Sequence, residues 1–136
     1  MIPVLSYQDA VKSEYLAFLA ALAQSKFSGD IEKSYASRLA VATDNSIYQL
    51  LPQAVILPRN HQDLVIMTTL SLQAEFKTIT FSPRGGGTGT NGQSLTDGII
   101  VDMSRHMNNI IDINVEEGWV QVQTGVVKDQ LNEFLK

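Results

Sequence analysis

The chain has 136 residues, one domain's worth, and its 44% hydrophobic and 18% charged residues give an ordinary globular balance that excludes a disordered segment. A net charge of −4, with Lys and Arg scattered rather than striped, argues against a general nucleic-acid surface. Zero cysteines exclude disulfides, cysteine–zinc sites and iron–sulfur ligation within these residues, which is compatible with a cytoplasmic protein.

The first residues, Met1-Ile2-Pro3-Val4-Leu5, lack a basic region and a cleavage site, so no signal peptide is read. The longest apolar run falls well short of a membrane span. Ser6 followed by Asp9 reads as a capping-box variant. Val11, Tyr15, Phe18, Leu19 and Leu22 then recur at helical spacing, which predicts a helix from Gln8 to Gln24. Ser28-Gly29-Asp30 breaks it, and Asp30 is expected to cap a second helix from Ile31 to Val41. Leu51-Pro52 ends a short element, Val55-Ile56-Leu57 is a brief buried strand, and Pro58-Arg59-Asn60 is its turn. Asn60 should cap a helix from His61 to Glu75, with Leu64, Val65, Thr68 and Leu72 on its inner face. A strand at Thr78–Phe81 would complete a βαβ unit, parallel and right-handed.

The next segment, Ser82-Pro83-Arg84-Gly85-Gly86-Gly87-Thr88-Gly89-Thr90-Asn91-Gly92-Gln93-Ser94, packs five of the nine glycines into eight positions. Glycine lets a ligand approach the main chain, and consecutive exposed amides form a concave anion-binding nest. Arg84 adds a fixed positive charge; Thr88, Thr90, Asn91, Gln93 and Ser94 add neutral donors. A phosphate or pyrophosphate suits such a loop better than the alternative of a flexible surface turn, which needs neither the Arg nor the hydroxyls. Gly87-x-Gly89-x-x-Gly92 satisfies the dinucleotide fingerprint letter for letter, but that fingerprint requires a helix to start at its end. Leu95-Thr96-Asp97-Gly98 followed by Ile99-Ile100-Val101 reads instead as turn then strand. Gly87-x-x-x-x-Gly92-Gln93-Ser94 resembles a P-loop, but Gln93 stands where a lysine must reach the phosphates, so nucleotide hydrolysis is not expected.

Beyond the loop the pattern predicts antiparallel structure. Ile99-Ile100-Val101 is a continuous apolar run suited to a central strand. Ile111, Ile113 and Val115 alternate with polar residues, Glu116-Glu117-Gly118 turns the chain, and Val120 and Val122 alternate again, giving a hairpin with one buried face. Val126 to Lys136 reads as a helix with Val127, Leu131, Phe134 and Leu135 inward. His61 and His106 lack metal-ligand spacing, Ser94 has no histidine partner in view, and Glu116-Glu117 is most simply a hairpin tip. Trp119 and the Met103/Met107 pair read as packing. No metal site and no catalytic residue is assigned.

Several segments in one order resemble the vanillyl-alcohol-oxidase, or PCMH, type of FAD-binding domain. They are Ala42-Thr43-Asp44-Asn45-Ser46-Ile47-Tyr48, Leu51–Pro58, the Pro83–Ser94 loop, Gly98–Ser104 with Asn108-Asn109-Ile110, and Thr124-Gly125-Val126. The branch this pattern is most similar to is the FAD-linked 2-hydroxy-acid dehydrogenases acting on D-lactate, glycolate or D-2-hydroxyglutarate. The segment before Ala42 looks like that of the large members, which carry an iron–sulfur domain at their far C-terminal end.

The resemblance implies an α+β PCMH-type subdomain with N-terminal helices, a parallel βαβ unit and an antiparallel hairpin. Residues 1–41 would form an N-terminal helical segment and residues 42–136 the first part of the FAD-binding domain, which stops short of its second half and substrate cap. It also implies a flavin oxidoreductase that converts a small D-2-hydroxy acid to a 2-oxo acid and passes electrons to an acceptor the sequence does not identify. Cofactor contacts would come from Arg84, Gly85, Gly86, Gly87, Thr88, Gly89, Thr90, Asn91, Gly92, Gln93, Ser94 and Gly125. Arg84 would shape the loop or neutralise charge, and Gln93 and Ser94 would bond phosphate or ribose. Thr88 occupies the position where tethered members carry a histidine, so FAD attachment from this segment should be non-covalent. The other readings are a cell-wall-precursor flavin reductase of the same superfamily, or a non-catalytic nucleotide- or anion-binding module.

Overall fold

The computed structural model describes residues 10–136. The expected Ser6/Asp9 cap lies outside the described residues. Helix α1 runs Ser13–Gln24, so residues 10–12 lie ahead of the helix and Lys12 is its N-cap. The periodic residues do face inward: Tyr15, Phe18, Leu19 and Leu22 are buried, and Val11 packs against the same core.

The expected helix from Ile31 to Val41 is replaced by two elements. Asp30–Glu32 forms a three-residue strand, β1, and helix α2 occupies only Tyr35–Ala40. Ser34 is the N-cap, its hydroxyl accepting the Ser37 N–H at 3.1 Å. A Ser at this position satisfies an orphan amide of the first turn, which frees Asp30 for the sheet and for an ion pair. The N-terminal segment is thus not wholly helical, and it shares one sheet and one core with residues beyond position 42.

Strand β2 (Ala54–Leu57) is buried at every position, and Asn60 then caps helix α3 (His61–Ser71) through a 3.0 Å bond from the Asp63 N–H. The chain leaves α3 four residues earlier than expected and makes a short 3-10 turn at Ala74–Phe76. Its inner face also differs. Asp63 and Met67 are buried, Leu64, Ile66 and Leu70 pack partly against the core, while Val65, Thr68 and Leu72 are exposed. The rotation follows from Asp63. Its carboxylate accepts the Ser28 N–H at 2.8 Å, the Ser28 hydroxyl at 3.0 Å and the Arg59 N–H at 2.8 Å. A buried carboxylate is tolerated when donors surround it, and these fix which side of α3 turns inward.

Strand β3 is Phe81–Arg84 rather than Thr78–Phe81, so the first residues assigned to the glycine loop are strand. Pro83 is compatible with this because the sheet order β1-β2-β4-β3 puts β3 at an edge. Strand β4 (Ile99–Asp102) is central, as expected, but parallel to both neighbours rather than antiparallel. It inserts between β2 and β3, so the two strands joined by α3 are parallel without being adjacent. Among the described residues, only β1 runs antiparallel in this sheet. One sheet face carries Ala54, Ile56, Ile99 and Val101 against α1 and α3, with Phe18 edge-on to Phe76 at 5.3 Å and Phe81 at 5.5 Å. The other face is a smaller cluster of Val55, Leu57 and Ile100 with Val41.

Strands β5 (Ile110–Asn114) and β6 (Trp119–Val122) form a separate antiparallel hairpin. Gly118 takes φ +70° in its turn, and an irregularity between Ile110 and Asp112 shifts the alternation. The expected buried face is buried only in part: Ile111, Ile113 and Val115 are exposed, and Val120 and Val122 are half-buried. Helix α4 spans Lys128–Phe134, shorter than expected, and buries none of its residues. Val127, Phe134 and Leu135, expected to point inward, lie about half exposed.

Candidate functional site

The glycine-rich segment leaves the carboxyl end of β3, the edge of an α/β sheet where ligands characteristically sit. Its start is fixed by the Met103 N–H donating to the Arg84 carbonyl at 2.9 Å. The Met107 N–H bonds Met103 O at 3.0 Å, and the Gly125 N–H bonds Met107 O at 2.8 Å. This backbone relay brings Gly125 opposite the loop. A Cβ at Gly125 would collide with the Met103 and Met107 carbonyls, so packing alone requires glycine there.

The two walls enclose a cleft of about 330 Å³. Gly85, Gly86 and Thr88 line one side, and Thr124, Gly125, Val126, Val127, Lys128 and Asp129 line the other. Beside Gly85 a Cβ would meet nothing within 4 Å, and beside Gly86 only Thr88 Cγ2 at 3.7 Å. Backbone is therefore open to an incoming group at these two positions. Thr124 belongs to the Thr124-Gly125-Val126 segment of the resemblance, but Lys128 carries no signal in the sequence. Only the chain reversal at Gly125 carries them to the loop, and no local pattern marks that.

The other sequence-assigned residues are distributed differently. Gly87 takes φ +66°, and a Cβ on it would strike the Arg84 guanidinium, which lies against the loop. Arg84 Nη1 donates to Val41 O at 3.5 Å and to Ser94 Oγ at 3.4 Å. Ser94 is buried and donates to Asp44 Oδ2 at 3.4 Å. Gln93 folds back over Gly89, its Oε1 accepting the Asn91 N–H at 3.1 Å. Thr90 is exposed, and Asn91 and Gly92 line a separate recess with Tyr48, Gln49 and Leu50. The structure thus gathers Gly85, Gly86, Thr88 and Gly125 in one cleft, while Arg84, Gln93 and Ser94 are engaged within the protein.

A larger hollow of about 430 Å³ lies elsewhere, between the hairpin and α4. Ile113, Val115, Trp119, Phe134 and Leu135 line it. With Thr88, Thr124, Lys128 and Asp129 in its lining and open backbone at Gly85 and Gly86, the glycine cleft suits a polar ligand better than this largely apolar hollow does.

The family described as FAD binding domain matches residues 52–136. The chain belongs to the FAD-binding domain family. It is 57% identical over 136 residues to a D-2-hydroxyglutarate dehydrogenase of Escherichia coli (strain K12), covering 100% of this chain and 13% of that protein. It is 58% identical over 127 residues to the enzyme of the same name from Pseudomonas putida, covering 93% of this chain and again 13% of the relative. The chain thus spans about an eighth of the length of these relatives. Among solved structures, an alkyldihydroxyacetonephosphate synthase superposes with TM-score 0.77 at 19% identity, over 98% of this chain and 30% of the other. The fold is the PCMH-type FAD-binding subdomain, α+β with parallel and antiparallel strands. No helix among the described residues is long and apolar enough to cross a membrane.

Proposed function

We propose that this FAD-binding segment holds the cofactor's diphosphate in the cleft between residues 85–88 and 124–128, as the first part of a flavin-linked dehydrogenase. The substrate class is a D-2-hydroxy acid, with D-2-hydroxyglutarate the leading member, and the product is the 2-oxo acid. The observation that carries the reading is an open backbone at Gly85 and Gly86, facing a cleft at the carboxyl edge of a parallel sheet. The likeness to D-2-hydroxyglutarate dehydrogenases over the whole chain supports the substrate class.

In this reading the amides of Gly85, Gly86, Gly87 and Thr88 supply aligned donors for phosphoryl oxygens, and the Thr88 hydroxyl adds another. The facing wall carries both Lys128 and Asp129, so their charges offset and the loop amides remain the chief donors. Gly89, Thr90, Asn91 and Gly92 keep the loop's return path clear of the cleft, and Gln93 closes it from within. Bound FAD supplies the hydride acceptor for oxidation of the hydroxy acid. Its attachment to this segment is non-covalent, because Thr88 cannot form a histidyl link. Substrate, electron acceptor and any iron–sulfur cluster are handled by other segments of a longer polypeptide. Residues 42–136 form the cofactor-binding part, residues 1–41 support it, and the location is cytoplasmic.

The test is anaerobic mixing of the purified full-length flavoprotein with D-2-hydroxyglutarate, its L enantiomer and D-lactate. The D-hydroxyglutarate should bleach the oxidised flavin absorbance within the mixing experiment. Retention of the full flavin band with every 2-hydroxy acid would contradict the proposed activity.

A further inference from the structure

The glycine loop rests on a bracket formed by residues 42–50. Ala42 is buried, and its carbonyl accepts the Leu50 N–H at 2.9 Å, while Thr43 and Gln49 form an isolated antiparallel bridge. The segment between them is therefore a closed turn anchored in the fold. It meets the glycine loop at two places. Tyr48 lies close against Gly92, so that a Cβ there would sit 3.1 Å from the ring. Asp44 reaches Ser94, and through it the Arg84 guanidinium.

Asp44 is itself fixed. Its Oδ1 accepts the Ser46 N–H at 2.8 Å, which leaves Oδ2 directed at the Ser94 hydroxyl at 3.4 Å. Its carboxyl is held below the ordinary aspartate range, first by hydrogen bonding from Ser46 and also by Ser94 and the charge of Arg84. Arg84 in turn lies against Gly87, the loop residue with positive φ. A partly buried guanidinium needs a counter-charge nearby, and without one it gains by moving into water. Removing the Asp44 charge would therefore let Arg84 withdraw from Gly87 and loosen the loop whose amides face the cleft.

We propose that Asp44 is a positioning residue for FAD: acting through Ser94 and Arg84, it sets the glycine loop from behind, and Arg84 makes no direct contact with the diphosphate. This rests on the reading that the loop holds the diphosphate. Preorganised donors lose less freedom on binding, so a loosened loop should bind more weakly without any direct contact being lost.

The test uses the full-length apoprotein titrated with FAD, followed by flavin fluorescence, for wild type and for Asp44→Asn, Asp44→Glu, Arg84→Gln, Gly86→Asp and the Asp44→Asn/Arg84→Gln double variant. Asp44→Asn should raise the Kd about tenfold and Asp44→Glu should recover most of the loss. The double variant should bind no more weakly than Arg84→Gln alone, as expected for residues acting in series. An unchanged Kd in Asp44→Asn, no recovery in Asp44→Glu, or losses that multiply in the double variant would overturn the proposal. Gly86→Asp separates the two levels. If it loses FAD while Asp44→Asn binds normally, only the positioning role fails. If Gly86→Asp binds FAD as wild type does, the diphosphate assignment fails and this proposal with it.

Discussion

The four-stranded sheet and the hairpin with α4 use similar apolar residues but dispose of them in opposite ways. In β2 and β4, Ala54, Val55, Ile56, Ile99, Ile100 and Val101 are all buried, because helices cover one face and α2 shields part of the other. In the hairpin and α4, Ile111, Val115 and Phe134 are 57%, 81% and 57% exposed. Hydrogen bonding and periodicity suffice to shape strand and helix, whereas burial needs a second layer that these residues do not supply for themselves. Fully burying a large apolar side chain is worth about 1.5–3 kcal/mol, so the hairpin–α4 unit holds most of its packing energy unrealised.

Side-chain truncation should separate the two regions most strongly. Phe18→Ala should destabilise residues 1–136 by about 3–5 kcal/mol, enough to unfold much of the population, since Phe18 is fully buried between two aromatic rings. Phe134→Ala in the same chain should change stability by less than about 0.5 kcal/mol, because its ring is mostly in water. Urea unfolding of the two variants checks both. Equal losses would mean that the hairpin–α4 unit is as well packed as the sheet.

Cofactor retention by the isolated chain sharpens the contrast. Five to eight hydrogen bonds from the loop, each about 1 kcal/mol net, face an association cost of roughly 4–15 kcal/mol. Residues 1–136 should therefore purify colourless, with no measurable hydroxy-acid oxidation. A yellow preparation with near-stoichiometric FAD would show that the single cleft suffices.

A smaller effect is expected at the cap of α3. Asn60→Ala removes the bond from the Asp63 N–H and should cost about 1 kcal/mol in thermal or urea unfolding, within the sheet region only.

A charge-dependent effect of at most similar size concerns Asp30, which ties β1 to Arg59 and His106. Its carboxylate meets His106 Nε2 at 2.6 Å and Arg59 Nη2 at 3.2 Å. The hydrogen bond from His106 is the largest influence holding its carboxyl below the ordinary 3.8, with Arg59 adding to it. A carboxyl that ionises more readily when folded stabilises the fold above the unfolded value and loses that contribution as pH falls through the folded one. Asp30→Asn should thus cost up to about 1 kcal/mol at neutral pH, and the difference from wild type should begin to shrink near pH 3.8 and disappear only below the lower folded value. A loss that persists unchanged in acid would point to shape rather than charge.

Much of the sheet region is legible in the sequence because its signals are local. The apolar runs at Val55–Leu57 and Ile99–Val101 and the Asn60 cap appear where the residues predict them, as does the Gly118 turn of the separate hairpin. Strand β1 is not legible: Asp-Ile-Glu is too short to show alternation, and Asp30 is as good a cap as Ser34 on residue type alone. The inner face of α3 escapes periodicity because its most buried position is a carboxylate, whose acceptance depends on Ser28 and Arg59 from elsewhere. The parallel direction of β4 depends on the path of the glycine loop, which no strand pattern encodes. Of the cleft, the loop glycines can be read directly. Gly125 and its neighbour Thr124 are marked by the resemblance, whereas Lys128 is not, since it arrives through the backbone relay from Arg84 by way of Met103 and Met107.

The flavin content of full-length Gly86→Asp decides whether the glycine loop holds the diphosphate. The structure has room for a side chain at Gly86, with Thr88 Cγ2 the nearest atom at 3.7 Å, so the substitution should leave the fold intact. It would place a carboxylate on the path of the diphosphate, among the amides that should receive it. The variant should be folded, with a flavin-to-protein ratio reduced at least tenfold. A normal ratio in a protein that unfolds at the wild-type temperature would contradict the assignment of this loop to the cofactor.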